Sequence, residues 1–331
     1  MTVQPDSSAA SSVSDGAIRW KASLWGLLAI CVAGPAICTL VGFGGRWWWA
    51  LELASHFRMQ YFTLLALGSL AFFLGRRRKL AACSLLLAIV NLAFIAPLYC
   101  GASSPRAGAP TFRAMFLNLN TSNDQYGKVL DFIRLTGPDF IVLAEASDRW
   151  MKELDDGLGG YPSSRVKSQE DNFGIAILSD LPILDGGIIS IGQAGVPSVM
   201  VRLHTGHQPF TVIGTHPPPP TSRLWAWHRD KQLQELAEVV LQQQGPLIVM
   251  SDLNATSWSP CFADLLAETG LKDSRQGFGL QPTWPCSMPL LRIPIDHCFV
   301  SSEIVVHGRW VGPDVGSDHY PIVVEFSLPA P

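Results

Sequence analysis

Charged side chains are scarce in this chain. Asp, Glu, Lys and Arg make up 15% of the 331 residues, against roughly a quarter in an average soluble protein, while hydrophobic residues make up 48%. This balance excludes a disordered chain and a coiled coil, and the net charge of −3 excludes a generally basic nucleic-acid-binding protein. The composition favours membrane-inserted segments attached to an ordinary globular domain.

Three stretches near the N-terminus contain no charge at all. They are Ala22–Gly45, Met59–Gly75 and Leu80–Pro105. A helix crosses a bilayer with about 17–25 mainly apolar residues, whereas the apolar part of a signal peptide has only about 7–15. No clear A-x-A cleavage site follows, so three spans are favoured over a signal peptide and buried helices. The sequence predicts a disordered tail at 1–21 and a linker at 101–110. Between them, residues 22–100 are predicted to form a membrane domain with three spans, at about 24–43, 59–75 and 80–99.

Basic residues between these stretches predict the orientation. Arg76-Arg77-Arg78-Lys79 is a wholly basic turn, and short loops rich in Lys and Arg stay in the cytoplasm. An odd number of spans then places the C-terminal domain on the extracytoplasmic side of a plasma or inner membrane.

Cysteine pairs of the C-x-x-C type are absent, which argues against a zinc site. Cys261, Cys286 and Cys298 lie in the C-terminal domain. An oxidising compartment would allow one disulfide among them, and the sequence does not choose the pair.

The C-terminal domain, residues 111–328, is acidic and alternates strands with helices. The chain has 24 basic and 27 acidic residues, of which residues 1–100 hold eight and three. Residues 101–331 therefore carry 16 basic and 24 acidic residues, a net charge of −8. Apolar runs such as Phe112–Leu119 and Leu247–Ser251 predict strands, and Ser222 is a predicted N-cap of a helix to about Gln244. The pattern predicts a four-layer α/β sandwich of two mixed β-sheets flanked by helices.

Polar residues capable of catalysis lie at six predicted strand ends. They are Asn118, Glu145, His216, Asp252 with Asn254, Asp296, and Asp318 with His319. A single Asp or Asn at such a place is more often a turn former, and a lone His is more often structural. Six together indicate a site, and their carboxylate and carboxamide oxygens suit Mg²⁺ or Mn²⁺.

The order of these residues resembles the endonuclease/exonuclease/phosphatase superfamily, which includes deoxyribonuclease-like nucleases, abasic-site endonucleases, sphingomyelinases and inositol-polyphosphate phosphatases. The resemblance covers about residues 110–328. It rests on Asn118, Ala144-Glu145, Thr215-His216, Ser251-Asp252-Leu253-Asn254, Pro294-Ile295-Asp296-His297 and Ser317-Asp318-His319. Two positions depart from the family pattern, because Ala144 stands where Gln is usual and Ser251 where Gly is usual.

The resemblance implies a role for each residue. Glu145 would be the main ligand of Mg²⁺ or Mn²⁺, with Asn118 and Asp318 as further ligands. Asp252 would deprotonate the attacking water, Asn254 and His216 would hold the phosphate, and His319, paired with Asp296, would stabilise charge or act as an acid.

Four further residues carry weaker predictions. Asn172 and Arg229 are candidate substrate-binding residues, although a turn and a solvated helix explain them as well. Packing is favoured for Trp284 over a place in the lining of a cleft. His297 is expected to be structural, because it follows Asp296 on a strand and should point to the opposite face.

The sequence leaves two classes of function open. The first is a membrane-anchored, metal-dependent phosphoesterase, and the second is a catalytically idle binding or sensor domain on the same fold. Since duplex nucleic acid is held by many Lys and Arg, the acidic domain favours a small or lipid-linked phosphate ester over nucleic acid.

Overall fold

The computed structural model describes residues 24–101, 110–159 and 161–329. The predicted tail at 1–21 and nearly all of the predicted linker at 101–110 therefore lie outside the described residues. Among the residues described, all seven cysteines are free thiols, so no disulfide joins Cys261, Cys286 or Cys298.

Four α-helices form the N-terminal part of the described chain. They are α1 (Leu24–Val41), α2 (Trp49–Glu52), α3 (Arg58–Leu74) and α4 (Arg78–Ile95). Two segments, Leu24–Arg46 and Arg78–Tyr99, are long and apolar enough to cross a membrane. They correspond to the first and third predicted spans.

The second predicted span, at 59–75, is not confirmed as a span of its own. Helix α3 has 17 residues, and the α2 segment meets it at a 59° bend, which fits either a broken span or a re-entrant loop. The first residue of α3, Arg58, is buried, and its guanidinium donates to the carbonyl of Thr39 and to Oδ1 of Asn91. The uncharged run of α3 therefore begins only after Arg58, and the bend separates it from the α2 segment.

Two six-stranded mixed sheets form the C-terminal domain. The first has the order β11-β12-β1-β2-β4-β3 and the second β5-β6-β7-β8-β10-β9. The strands of the first are β1 (Phe112–Asn118), β2 (Phe140–Ala144), β3 (Ser163–Lys167), β4 (Ile175–Ser179), β11 (Val305–Val311) and β12 (Ile322–Ser327). Those of the second are β5 (Ile183–Ser190), β6 (Pro197–His204), β7 (Pro209–Thr215), β8 (Leu247–Asp252), β9 (Lys272–Asp273) and β10 (Asp296–Val300).

Helices cover the outer face of each sheet. They are α5 (Tyr126–Thr136), α6 (Asp148–Leu158), α7 (Arg223–Leu241) and α8 (Pro260–Thr269). One apolar cluster lies between the sheets, a second joins the first sheet to α5 and α6, and a third joins the second sheet to α7 and α8. The predicted four-layer sandwich is therefore present, and the predicted N-cap Ser222 accepts from the backbone of Trp225.

The segment joining α1 to α3, residues 42–57 and here called the connector, packs on the C-terminal domain. Arg46 of the connector pairs with Asp264 at 2.6 Å, and Nδ1 of His56 lies 3.0 Å from Oγ1 of Thr256. Beyond α4, the carbonyl of Leu98 accepts from two backbone amides of the domain. The N-terminal helices and the C-terminal domain therefore share a polar, hydrogen-bonded interface.

Candidate active site

One parallel strand pair lies inside each sheet, and the two pairs bring the polar strand ends together. Strand β1 is parallel to β2, and β7 is parallel to β8. Asn118 ends β1 and Asp252 ends β8, while Glu145 and His216 directly follow β2 and β7. Carboxyl ends of parallel strands share one edge, which is where ligands bind in open α/β sheets.

Asn118 joins the two sheets at this edge. Its Nδ2 donates to Oε1 of Glu145 at 3.0 Å and to Oδ2 of Asp252 at 3.2 Å. The backbone amide of Thr121 holds the second Glu145 oxygen at 3.1 Å. Two carboxylates from different sheets therefore converge on one point.

Backbone geometry at the site departs from that of ordinary strands. Glu145, Asn120 and Asn254 have φ of +56°, +57° and +51°. Asn adopts this left-handed region readily, whereas Glu does so at a cost in free energy. A strained glutamate beside two catalytic candidates is typical of a functional site.

His319 lies between two carboxylates. Its Nδ1 is 2.9 Å from Asp296 Oδ2, and its Nε2 is 3.5 Å from Asp252 Oδ2. Burial alone would lower the pKa of His319, but the charges of Asp296 and Asp252 raise it to about 10. The imidazole is therefore protonated near neutral pH and can donate to an anion.

Asp252 is the centre of the cluster and is nearly inaccessible to solvent. Burial opposes its ionisation, yet the neighbouring His319 and His216 hold the pKa of its carboxyl well below the usual range. Nε2 of His216 lies 3.5 Å from Asp252 Oδ2 and 3.3 Å from Asn254 Nδ2. Burial lowers the pKa of His216, but the hydrogen bond to Asp252 and its charge outweigh this and raise it.

Asp318 lies at the same edge but has other partners. Its Oδ1 accepts from Nδ2 of Asn120 at 2.7 Å, and its Oδ2 accepts from Nε1 of Trp284 at 3.0 Å. The Trp284 ring is 6.2 Å from that of His319, so this tryptophan contacts the site as well as packing. Asn120 was not predicted from the sequence. Its position two residues after Asn118 would have indicated that it lies at the same edge of the sheet.

The two predicted substrate-binding residues Asn172 and Arg229 lie in different surroundings. Asn172 is exposed in a turn with φ of +68°, beside Phe173, whose ring is 5.7 Å from that of His216. Arg229 does not join the cluster, because it is fully buried and its guanidinium pairs with Glu52 and Asp230. The expectation that Arg229 binds substrate fails for this reason.

The oxygen-rich end of the cluster fits a divalent cation. The carboxylates of Glu145 and Asp252 both accept from Nδ2 of Asn118, while Oδ1 of Asn118 accepts from the backbone amide of Asn120. Carboxylate oxygens gathered in this way are hard ligands suited to Mg²⁺ or Mn²⁺. Ligand atoms of Asp252, Asp296 and His319 also lie within 4.8 Å of one another. Asp296 and His319 already bond each other, so the group formed by Glu145 and Asn118, with Asp318 at the same edge, is the better candidate.

Comparisons with known proteins agree with this geometry. A family model described as "Endonuclease/Exonuclease/phosphatase family" matches residues 115–319, which is more than half of the chain and lies wholly within the C-terminal domain. No curated protein matches the chain.

Solved structures share the fold at low sequence identity. A humanized TDP2 from D. rerio superposes with a TM-score of 0.56 at 16% identity, covering 66% of this chain and 99% of that one. An endonuclease/exonuclease/phosphatase from Bacteroides vulgatus gives 0.56 at 18% identity, again covering 66% and 99%. Beta toxin from Staphylococcus aureus gives 0.50 at 19% identity, covering 64% and 99%. At such identities the likeness establishes the fold.

Proposed function

The chain belongs to the endonuclease/exonuclease/phosphatase family, whose members are generally metal-dependent hydrolases of phosphoester bonds, and on this premise we propose that it is itself a divalent-metal-dependent phosphoesterase. One observation carries the proposal. The Asp252 carboxylate lies 3.5 Å from each of two buried imidazoles, His216 and His319, and next to the oxygens of Glu145. An idle binding domain has no need of this costly buried arrangement.

Glu145, Asn118 and Asp318 would hold Mg²⁺ or Mn²⁺. When bound, such a cation polarises the phosphoryl oxygen and neutralises developing charge. Asn120 and Trp284 fix the carboxylate of Asp318, which would be a further ligand.

The chain's own groups divide the remaining work. Asp252, ionised over the working range of pH, accepts the proton of the attacking water. Protonated His319 donates to a phosphate oxygen, and Asp296 fixes its orientation through Nδ1. His216 and Asn254 donate to the phosphate from the second sheet, and Asn172 would contact the rest of the substrate.

The catalytic domain is tethered to a membrane through three crossings, with its site on the extracytoplasmic side. Two long apolar helices and the shorter α3 support the crossings, and the basic turn Arg76–Lys79 supports the orientation. The contacts of the connector hold the domain at one end of the helix bundle.

The preferred substrate is a small or lipid-linked phosphodiester rather than nucleic acid. The net charge of −8 on residues 101–331 is unfavourable for a long polyanion. The test compares hydrolysis of bis(p-nitrophenyl) phosphate and of plasmid DNA by the full chain in detergent, with Mg²⁺ or Mn²⁺ at physiological salt. We expect faster turnover of the small diester, abolished in Asp252→Asn. Efficient DNA cleavage that is lost in the same variant would make the protein a nuclease, and no hydrolysis of either would leave the binding-domain alternative.

A further inference from the structure

Two clusters of large apolar side chains are exposed on the catalytic domain. The first is Met288, Leu290 and Leu291, which are 49%, 85% and 48% exposed. The second is Leu224, Trp225 and Trp227 in the first turns of α7, which are 62%, 39% and 43% exposed. Contiguous exposed apolar groups are uncommon on soluble domains and mark sites of interaction.

Both clusters lie beside the active site. Met288, Leu290 and Leu291 form the tip of a loop whose base is Trp284, the residue that holds Asp318 and lies against His319. The Trp225 ring stacks on Phe173 at 6.4 Å, and Phe173 is 5.7 Å from the ring of His216. The clusters therefore reach the site from two sides.

Both clusters also adjoin the membrane segment. Nε2 of Gln60, the third residue of α3, donates to the carbonyl of Arg292, directly after the first cluster. Arg229, two residues after Trp227, pairs with Glu52 of the connector. The exposed groups thus lie near the end of the helix bundle that packs against the domain. Tryptophan is favoured where a membrane meets water.

We propose that these two clusters, here called the apolar rim, insert into the outer part of the bilayer and that the site takes its phosphoester from a membrane lipid. The substrate class rests on the proposed function, whereas the insertion rests on the position of the rim beside the apolar helices. The membrane is the favoured occupant because the same chain is already anchored in it next to the rim. A second copy of the chain is the competing occupant.

Photo-crosslinking in phosphatidylcholine nanodiscs tests insertion without any assay of activity. The photoreactive amino acid p-benzoylphenylalanine replaces Leu290 or Leu224 in the full chain. Leu241, equally exposed at the far end of α7, is the matched control. We expect crosslinks to lipid from positions 290 and 224 and none from 241. Crosslinks to a second protein chain, or no preference over position 241, would overturn the proposal.

Turnover then tests the lipid substrate. Leu290→Asp with Leu291→Asp should slow hydrolysis of phosphatidylglycerol in nanodiscs about tenfold or more, because an inserted leucine can no longer be buried. Hydrolysis of soluble bis(p-nitrophenyl) phosphate should not change, and Leu241→Asp should affect neither. Equal loss on both substrates, or none on the lipid, would reject the rim's role in access.

If the wild type hydrolyses the soluble diester but not phosphatidylglycerol or phosphatidylcholine, the lipid-substrate part fails while the proposed function stands. If it hydrolyses nothing, the proposed function fails, and the crosslinks still decide insertion.

Discussion

Arg229 of helix α7 donates to Glu52 of the connector at 2.5 Å, and both side chains are buried. The hydroxyl of Ser259 also donates to Glu52. Ser259 ends the loop that begins at Asn254 in the active site and passes Thr256, which lies 3.0 Å from His56. This buried pair therefore joins the N-terminal helical part to the loop that carries Asn254, a predicted phosphate-binding residue.

Breaking this pair from one side should be costly. Glu52→Met leaves the Arg229 charge buried with only Asp230, and Arg229→Met leaves Glu52 without its cation. Each should lower the free energy of unfolding by about 3–5 kcal/mol, whereas the double variant should recover a large part of the loss. Chemical denaturation in detergent measures this. The control is Lys152→Met, which breaks the exposed pair with Asp156 and should leave the free energy of unfolding nearly unchanged. Strictly additive losses at Glu52 and Arg229 would show that the two side chains are not coupled.

Asp252 and His319 should both be required for turnover. Asp252→Asn keeps the shape but removes the proton acceptor, so it should abolish hydrolysis of bis(p-nitrophenyl) phosphate. His319→Ala should lower kcat by about 10²–10⁴, the usual weight of general acid–base catalysis. Asp131→Asn on the exposed face of α5 is the control and should have no effect. Full activity in either site variant would remove it from the mechanism.

Removing the metal should stop the reaction reversibly. A chelator should abolish turnover, and added Mg²⁺ or Mn²⁺ should restore it. Binding to the folded state also stabilises it, by about 2.7 kcal/mol at roughly 100 times Kd, so the unfolding temperature should rise with added Mn²⁺. Glu145→Gln should weaken this rise because it removes the main anionic ligand. A rise of the same size in wild type and variant would place the metal elsewhere.

Strands that are buried on both faces can be predicted from the sequence, because their burial is reflected in local composition. Strands β1 and β8 are apolar runs that end in Asn118 and Asp252, so both the strands and the edge they share could be predicted. The half-exposed edge strand β3 was missed because Ser163–Lys167 is polar. The contact of Arg229 with Glu52 spans 177 residues and depends on how two separate parts dock, which no local pattern encodes.

The basic turn should determine the orientation of the chain. The Cζ atom of Arg77 lies 5.3 Å from the Trp25 ring centroid, so α1 begins on the side of this turn, while Arg46 at its other end reaches the catalytic domain. A reporter active only outside the cytoplasm, fused after Pro331, should be active. Replacing Arg76–Lys79 with glutamine should scramble insertion. A cytoplasmic reporter that is active at the same position would show that the orientation is inverted, with the basic turn outside the cytoplasm.

His297 should make stability depend on pH. Its Nε2 lies 2.8 Å from the carbonyl of Ala255, which makes it the donor, while its buried Nδ1 has no hydrogen-bond partner among the described residues. Burial, with a smaller contribution from Arg275, lowers the pKa of His297 to about 3, against about 6.5 in an unfolded chain. Because the unfolded state binds the proton first, the stabilising contribution is complete above about pH 6.5. It decreases by roughly 1.4 kcal/mol per pH unit as the pH falls toward 3.

His297→Gln isolates this effect because glutamine can donate to Ala255 but does not titrate. Urea denaturation of the full chain in detergent, from pH 7 to pH 4.5, should show wild type losing stability faster than the variant as the pH falls. Other groups titrate in the same range, but they are common to both proteins, so the difference between the two curves reports His297 alone. Parallel curves would mean that His297 is protonated equally in the folded and unfolded states, and that its Nδ1 is therefore not sealed from water.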